Sequence, residues 1–336
     1  MELKSDKTLL NRNTKLREIA NSNDLKSIVA EVDEITDKLQ SQSFYIVVLG
    51  LFKRGKSSII NALLDAEVAP VAITPLTSVV TFFKYAEEKR AEIIFEDGKT
   101  KTVALKEIDT HVSEDLNPEN AKKVREVVVY FPSDILKMLT LVDTPGLGSL
   151  YAHNSKTTTS FIPKIDAALY VLSADLPISA ADAEFLKNLR ETVPKLFFLL
   201  NKKDLIDNEG LAKLKAFNLK NITQLTGVNE QELNFICISA KQFTEAKNKE
   251  EMNVSAIPTL SQELSDLTKS KGTELIVKSA ANRLEGLIQQ TEQLLKLRLA
   301  ALYAPIKDIE EQTEKLRKSL DLIESNQEDF LSVIRV

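Results

Sequence analysis

FYIVVLGLFKRGKSSIIN, residues Phe44 to Asn61, decides how the whole chain reads. Phe44 to Leu49 is a short apolar run, the length of one buried strand. Gly50-Leu51-Phe52-Lys53-Arg54-Gly55-Lys56-Ser57 then has the spacing of a phosphate loop: Gly, four residues, Gly-Lys-Ser. Ser58 to Leu64 opens a helix, which completes the strand–loop–helix context of that motif. The residue types fit the chemistry. Glycine at 50 and 55 lets the backbone turn its N–H groups toward phosphate oxygens. A helix N-terminus adds partial positive charge. Lys56 is expected on the β- and γ-phosphates, Ser57 on Mg²⁺, and Ser58 beside it at the start of the helix.

Downstream, four further segments come in the order a guanine-nucleotide domain requires. Pro70-Val71-Ala72-Ile73-Thr74-Pro75-Leu76-Thr77-Ser78 is a loop before a strand, where a threonine can reach Mg²⁺ when a γ-phosphate is present. Thr77, next to the strand, is the first choice and Thr74 the second. Leu141-Val142-Asp143-Thr144-Pro145-Gly146 ends a strand on Asp143, a second Mg²⁺ ligand, while Gly146 offers an N–H to the γ-phosphate. Leu199-Leu200-Asn201-Lys202-Lys203-Asp204 places a carboxylate where guanine presents N1–H and its exocyclic amine. Asp204 is therefore expected to select guanine, Lys202 to lie along the base, and Asn201 to tie loops together. Ser239-Ala240-Lys241 comes after another apolar run and offers the Ala240 N–H to guanine O6. Leu147 stands where a water-orienting glutamine is found in Ras-like domains. Charge compensation is therefore sought in the phosphate loop itself, from Lys53 or Arg54.

Around these motifs, short apolar runs alternate with helical stretches from Gln42 to about Lys241. They are Phe44–Leu49, Val79–Tyr85, Ala91–Phe95, Val127–Phe131, Met138–Val142, Ala167–Leu172, Leu196–Leu200 and Phe235–Ile238. Runs too apolar to alternate predict a mostly parallel sheet between helix layers. Ala91–Phe95 and Lys101–Leu105 flank Glu96-Asp97-Gly98-Lys99-Thr100 and read as a hairpin.

Both flanks read as helix. Over residues 8 to 40, Leu25, Ile28, Val32, Ile35 and Leu39 recur at heptad spacing, which predicts one amphipathic helix. From Ile257 onward, Leu284, Ile288, Leu294, Leu295 and Leu302 mark an apolar stripe. Pro305 interrupts it, and a second heptad run continues from Ile306 to Ile334. The sequence stops in mid-heptad at Val336, as expected of part of a longer protein.

The 336 residues are 43% hydrophobic and 28% charged, a globular composition sized for about two domains. A net charge of −5 gives no electrostatic case for a nucleic-acid partner. The single cysteine, Cys237, excludes a disulfide framework and suits a reducing cytoplasm. It lies in an apolar run and reads as a structural thiol. His111 and His153 have no zinc-like spacing with it. The N-terminus has no signal-peptide core, and no window reaches the roughly 18 apolar residues of a membrane span.

Taken together, GLFKRGKSSIINALL, PVAITPLTSVVTF, LVDTPGLGS, LYVLSADLPIS, LLNKKDL and ISAK resemble the bacterial dynamin-like proteins, relatives of dynamins, mitofusins and atlastins. The resemblance covers about residues 30 to 330. It implies an α/β P-loop GTPase domain plus a helical neck bundle from both chain ends. The division would be residues 1–40 as an N-terminal neck helix, 41–270 as the GTPase domain and 271–336 as truncated C-terminal neck or stalk helices. It implies GTP/GDP and Mg²⁺ as ligands, and a GTPase-face dimer with itself or a related dynamin-like chain. Hydrolysis would be coupled to neck movement and membrane remodelling at the cytoplasmic face, with lipid contacted through parts outside this chain. Lys56, Ser57, Thr77, Asp143, Gly146, Asn201, Lys202 and Asp204 match the family's nucleotide residues. The position that is serine in eukaryotic dynamins, where it helps hold a monovalent cation, is Lys53, which puts such a cation in doubt. Two other readings remain open on the sequence: an assembly GTPase of the ribosome or translation type, and a nucleotide-switched scaffold with slow hydrolysis.

Overall fold

The computed structural model describes residues 2–69, 79–113, 116–144, 161–303 and 313–320. The chain divides into two compact units, one formed by 1–43 with 276–336 and the other by 44–275. The elements, in chain order, are α1 (Glu2–Ser22), α2 (Lys26–Ser41), β1 (Tyr45–Leu49), α3 (Lys56–Leu64), β2 (Val80–Tyr85), β3 (Arg90–Phe95), β4 (Thr100–Val103) and α4 (Asp109–Val112). They continue with β5 (Val124–Phe131), β6 (Thr140–Asp143), β7 (Ala167–Ser173), α5 (Ala180–Thr192), β8 (Lys195–Asn201), α6 (Asn208–Thr226), β9 (Asn234–Cys237), α7 (Ala240–Glu245), α8 (Lys249–Val254) and α9 (Ile257–Tyr303).

The nine strands form one sheet in the order β4-β3-β5-β2-β6-β1-β7-β8-β9. Each contains residues of a run the sequence marked as a strand. From β6 through β1, β7 and β8 to β9 every neighbour is parallel. The direction reverses between β6 and β2. Strand β2 runs parallel to β5, and β3 is antiparallel to both β5 and β4. The central parallel strands β6, β1, β7 and β8 are covered on both faces, which is why they read as unbroken apolar runs. Ile46, Val47, Val48 and Leu49 of β1 and Ala167 to Leu172 of β7 are all essentially inaccessible. Each large aliphatic side chain so buried is worth about 1.5–3 kcal/mol. Cys237, on β9 near the sheet edge, is half-buried, and burial pushes its thiol pKa up.

In the other unit, the single helix expected over 8–40 is two antiparallel helices. Ser22-Asn23-Asp24 breaks the run. Asp24 takes a left-handed φ of +51°, and the Leu25 N–H returns to the Ala20 carbonyl at 2.9 Å. Asn and Asp adopt that conformation most readily among non-glycine residues, a punctuation that the heptad reading overrode. The heptad positions themselves hold: Leu25, Ile28, Val32, Ile35 and Leu39 are all buried. Asn13 of α1 reaches across to the Val32 carbonyl at 2.9 Å and to Thr36 Oγ1 at 2.7 Å. Arg17 pairs with Asp33 at 2.6 Å. The part of α9 in this unit packs on α2. Arg283 pairs with Glu34 at 2.7 Å and Glu31 at 3.4 Å, and Lys38 donates to Ser279 Oγ at 3.2 Å. The apolar stripe of α9 differs from the one expected. Ile276, Ala280, Leu284 and Leu287 are buried, whereas Ile288 is exposed. The buried face keeps to 3.6-residue periodicity, and Ile288 falls just outside it. Residues 313–320 are helical, with Leu316 and Leu320 exposed. Pro305 lies outside the described residues. Among the described residues no helix is long and apolar enough to cross a membrane.

Candidate nucleotide site

Strands β6, β1, β7, β8 and β9 finish on one edge of the sheet, and the loops leaving them converge there. In sheets of this kind ligands bind beyond the carboxyl ends of the strands, where the chain order switches sides. That point is β1, with β6 on one flank and β7 on the other. Asp143 ends β6, the phosphate loop comes directly after β1, Asn201 ends β8, and Ser239 lies two residues after β9. From β6 to β8 is three strand steps, about 14 Å at the usual spacing, roughly the reach of an extended nucleotide.

The phosphate loop owes its path to its glycines. Gly50 has a φ of +144°, and a Cβ there would lie 2.6 Å from the Val171 carbonyl oxygen of β7. Gly55 has a φ of +88° and is the residue from which α3 starts. A Cβ on it would collide with the side-chain amide of Asn201. Lys53, between them, also takes a left-handed φ of +65°. Lys56, the first residue of α3, curls back across the loop. Its Nζ donates to the carbonyls of Gly50 at 3.1 Å and Leu51 at 3.2 Å. Burial pulls its pKa down; Asp143 opposes this and Arg54 adds to it, leaving Lys56 at about 8. Ser57 and Ser58 occupy the first turn of α3.

Beside the loop, Ser57 Oγ approaches Asp143 Oδ2 at 3.4 Å. Asp143 is 1% exposed, and its Oδ1 is buried with no hydrogen-bond partner among the described residues. Burial drives its pKa up; Lys56 and the Ser57 hydroxyl pull it back, to about 6. A buried carboxylate oxygen without a donor, next to a serine hydroxyl, is a fitting half-shell for a small hard cation that takes its remaining oxygens from phosphate and water. Thr77, Gly146 and Leu147 lie outside the described residues.

On the other side of the loop Asn201 joins three segments. Its Nδ2 donates to the Arg54 carbonyl at 2.9 Å, and its Oδ1 accepts from the Ala240 N–H at 3.2 Å. Asp204 Oδ1 accepts from Ser239 Oγ at 2.5 Å, and Ser239 Oγ in turn accepts from the Gln242 N–H at 3.1 Å, capping α7. The carboxylate is thus held by one oxygen. Lys202, left-handed at φ +62°, reaches Asp175 Oδ2 at 2.7 Å. Lys241 is exposed at the start of α7.

The two loop cations separate. Lys53 is exposed, with its ammonium 5.5 Å from the centroid of the Phe52 ring. Arg54 does not face the phosphate side, so its expected place among nucleotide-contacting side chains is corrected. Its guanidinium is 1% exposed and forks onto Asp182 of α5 at 2.5 and 2.8 Å, with a further bond to the Val171 carbonyl at 3.3 Å. Its planar fork has found a carboxylate inside the protein, and one guanidinium cannot serve both. Asp182 is a site residue that sequence reasoning missed. Its signal is the Ser179-x-x-Asp182 capping spacing, which the structure uses: Ser179 N–H donates to Asp182 Oδ2 at 2.8 Å, and Asp182 N–H to Ser179 Oγ at 3.2 Å.

A model of the Dynamin family matches residues 46–204, which span this loop, Asp143, Asn201 and Asp204. A protein of Caldicellulosiruptor encoded 3′ of xynA, itself uncharacterised, is 34% identical over 325 residues, covering 96% of this chain and 80% of that protein. Dynamin-like protein 2 of Campylobacter jejuni is 27% identical over 273 residues, covering 81% of this chain and 41% of the relative.

The chain belongs to the dynamin family.

It is a dynamin-like GTPase similar to those of bacteria. A solved bacterial dynamin pair, described as oligomerised and as a mechanism for long-range membrane sensing and tethering, shares the fold. It has a TM-score of 0.58 at 18% identity, over 98% of this chain and 54% of that one. The dynamin-like GTPase therefore spans most of one relative and about half or less of the other proteins compared.

Proposed function

We propose that GTP is bound and hydrolysed at the edge where β6, β1, β8 and β9 end, in the order metal, phosphates, base. The observation that carries this reading is the lateral order of Asp143, the 50–57 loop, and Asn201 with Asp204 and Ser239. The loop N–H groups and the start of α3 would wrap the phosphates, and Lys56 would leave the Gly50 and Leu51 carbonyls for them. Ser57 and Asp143, with Thr77, would hold Mg²⁺, which when bound neutralises charge on the β- and γ-oxygens. Gly146 would meet the γ-phosphate. Asp204 would accept from guanine, with Lys202 along the base and Ala240 and Lys241 beside it. Lys53, exposed at the mouth of the loop, is the residue for charge compensation in place of a monovalent cation. Lys53→Ser is expected to lower turnover in sodium-only buffer; an unchanged rate counts against that role.

The pKa positions give a calorimetric test. Near pH 8 free Lys56 is about half deprotonated, and phosphate stabilises its charged form, so binding of GDP takes up protons. Near pH 6 Asp143 is about half protonated and loses its proton to make room for a divalent cation, so adding Mg²⁺ releases protons. Calorimetry in two buffers of different ionisation enthalpy reads both signs. Either sign reversed removes the residue from its role.

Beyond the site, we propose nucleotide-dependent dimerisation through the GTPase face, with itself or a related chain. We further propose that hydrolysis moves the helices of the 1–43/276–336 unit, and so remodels membranes at their cytoplasmic side through parts outside this chain. Family membership and the named function of the bacterial dynamin pair support this. Turnover per molecule is expected to rise with protein concentration, and light scattering should find a dimer with a transition-state mimic. A flat rate over a wide concentration range removes the dimer from the mechanism.

A further inference from the structure

Arg54 and Asp182 form the most deeply buried ion pair among the described residues, 1% and 0% exposed. The pair joins the phosphate loop, through Arg54, to α5, through Asp182. Asp182 collects five donors: two from Arg54, the Tyr170 hydroxyl at 2.5 Å, and Ser179 N–H and Oγ at 2.8 and 2.7 Å. Burial alone raises the pKa of a carboxyl, yet those bonds and the Arg54 charge carry Asp182 below the usual range. Tyr170, pushed well up by burial and by Asp182, stays a donor.

A buried ion pair is a weak route to stability, because desolvation offsets most of its attraction and an apolar pair of similar volume often serves as well. What a bidentate fork adds is direction. Here the direction is spent on one residue of the phosphate loop from three sides. The Arg54 guanidinium is fixed to the N-terminus of α5 by Asp182 and to the end of β7 by the Val171 carbonyl, and its own carbonyl to the end of β8 by Asn201. The same Val171 carbonyl sets the approach limit for Gly50. The residue before Arg54 is a lysine in left-handed backbone, a conformation that persists only where its surroundings over-determine it. Gly55 and Lys56 come immediately after.

We infer that Arg54 is a positioning residue: through Asp182 it locks the phosphate loop to α5 and β7, and so sets where the Lys56 ammonium and the loop N–H groups meet phosphate. It does this without touching the nucleotide, and the inference rests on the nucleotide-site reading above. A reacting constellation misplaced by about 1 Å loses about 10²-fold in rate, and a phosphate cradle released on that scale is expected to lose phosphate affinity with it. The loss is the same for GDP and for a GTP analogue, because the whole cradle shifts.

The test is a cycle of Arg54→Met, Asp182→Asn and the double variant. Binding is measured with GDP and a non-hydrolysable GTP analogue, alongside GTP turnover and melting temperature. Asp182→Asn alone leaves a buried cation unpaired and is expected to melt early. The double variant removes both charges, and the amide can still cap α5, so it should melt within a few degrees of wild type. Arg54→Met and the double variant should both weaken GDP and the analogue by an equal factor of about 10–100, and Arg54→Lys should not restore binding, since an ammonium lacks the fork. Three results would overturn the inference: wild-type affinity in the double variant, lower turnover in Arg54→Met at unchanged GDP affinity, or unfolding of the double variant, which makes the pair a stability element. Wild-type protein that binds neither nucleotide removes the site itself; wild-type binding with unaltered variants removes only the lock.

Discussion

Lys56→Ala should lower nucleotide affinity and GTP turnover together, by at least about 10²-fold. Among the described residues, the two other cations of the loop are not placed to replace the ammonium. Arg54, two residues earlier, is buried and committed to Asp182, and Lys53 stands exposed over Phe52. Lys56 also holds the loop in its resting shape through the Gly50 and Leu51 carbonyls, so alanine would remove both a phosphate partner and an internal brace. Because Lys56 is the first residue of α3, where alanine suits a helix well, folding should be little affected. Calorimetry with GDP and a steady-state GTP assay read the result. A variant that retains wild-type turnover would mean that hydrolysis happens elsewhere on the chain.

Asp204→Asn should exchange guanine for xanthine. A carboxylate accepts from two donors on guanine; an amide accepts from one and presents its own donor to the other. Losing a charged partner of a bidentate contact costs about 2–5 kcal/mol, so GTP binding should weaken by roughly 30- to 5,000-fold. Xanthine carries a carbonyl where guanine has its amine, and the amide matches it. Competition between GTP and XTP at fixed protein concentration should therefore reverse its preference. The hydroxyl of Ser239 holds one carboxylate oxygen at 2.5 Å and can hold the oxygen of an amide as well, so the substituted side chain should keep its orientation. If GTP remains preferred, Asp204 does not read the base.

The centre of the sheet was legible because β1, β6, β7 and β8 are buried on both faces, and an apolar run such as Phe197 to Leu200 admits little else. The phosphate loop was legible because glycine at 50 and 55 is forced by backbone geometry. Asn201 was legible because it sits at a strand end in a motif with fixed spacing. Three features escaped. The Asn23–Asp24 turn was hidden under a heptad pattern that continues through it. The buried face of α9 drifts from strict heptad spacing, leaving Ile288 outside. Arg54 escaped for a more basic reason. A sequence places a side chain along the chain but not which way it points, and its partner Asp182 lies 128 residues away. Long-range pairing of that kind leaves no periodic trace.

The helical unit made from both ends of the chain has a consequence for biosynthesis. Glu34 and its partner Arg283 are 249 residues apart. At about 5–20 residues per second, synthesis separates them by roughly 12–50 s. The hairpin of α1 and α2 leaves the ribosome first and waits with Glu31, Glu34 and Lys38 still missing their partners Arg283 and Ser279. Residues 44–275 are complete before Arg283 is made, and such units generally fold as they emerge. Only 8 residues (283 − 275), roughly 0.4–2 s of synthesis, separate the end of that unit from Arg283, so the α1–α2 hairpin waits through the making of the whole 44–275 unit and then meets its partner helix almost at once.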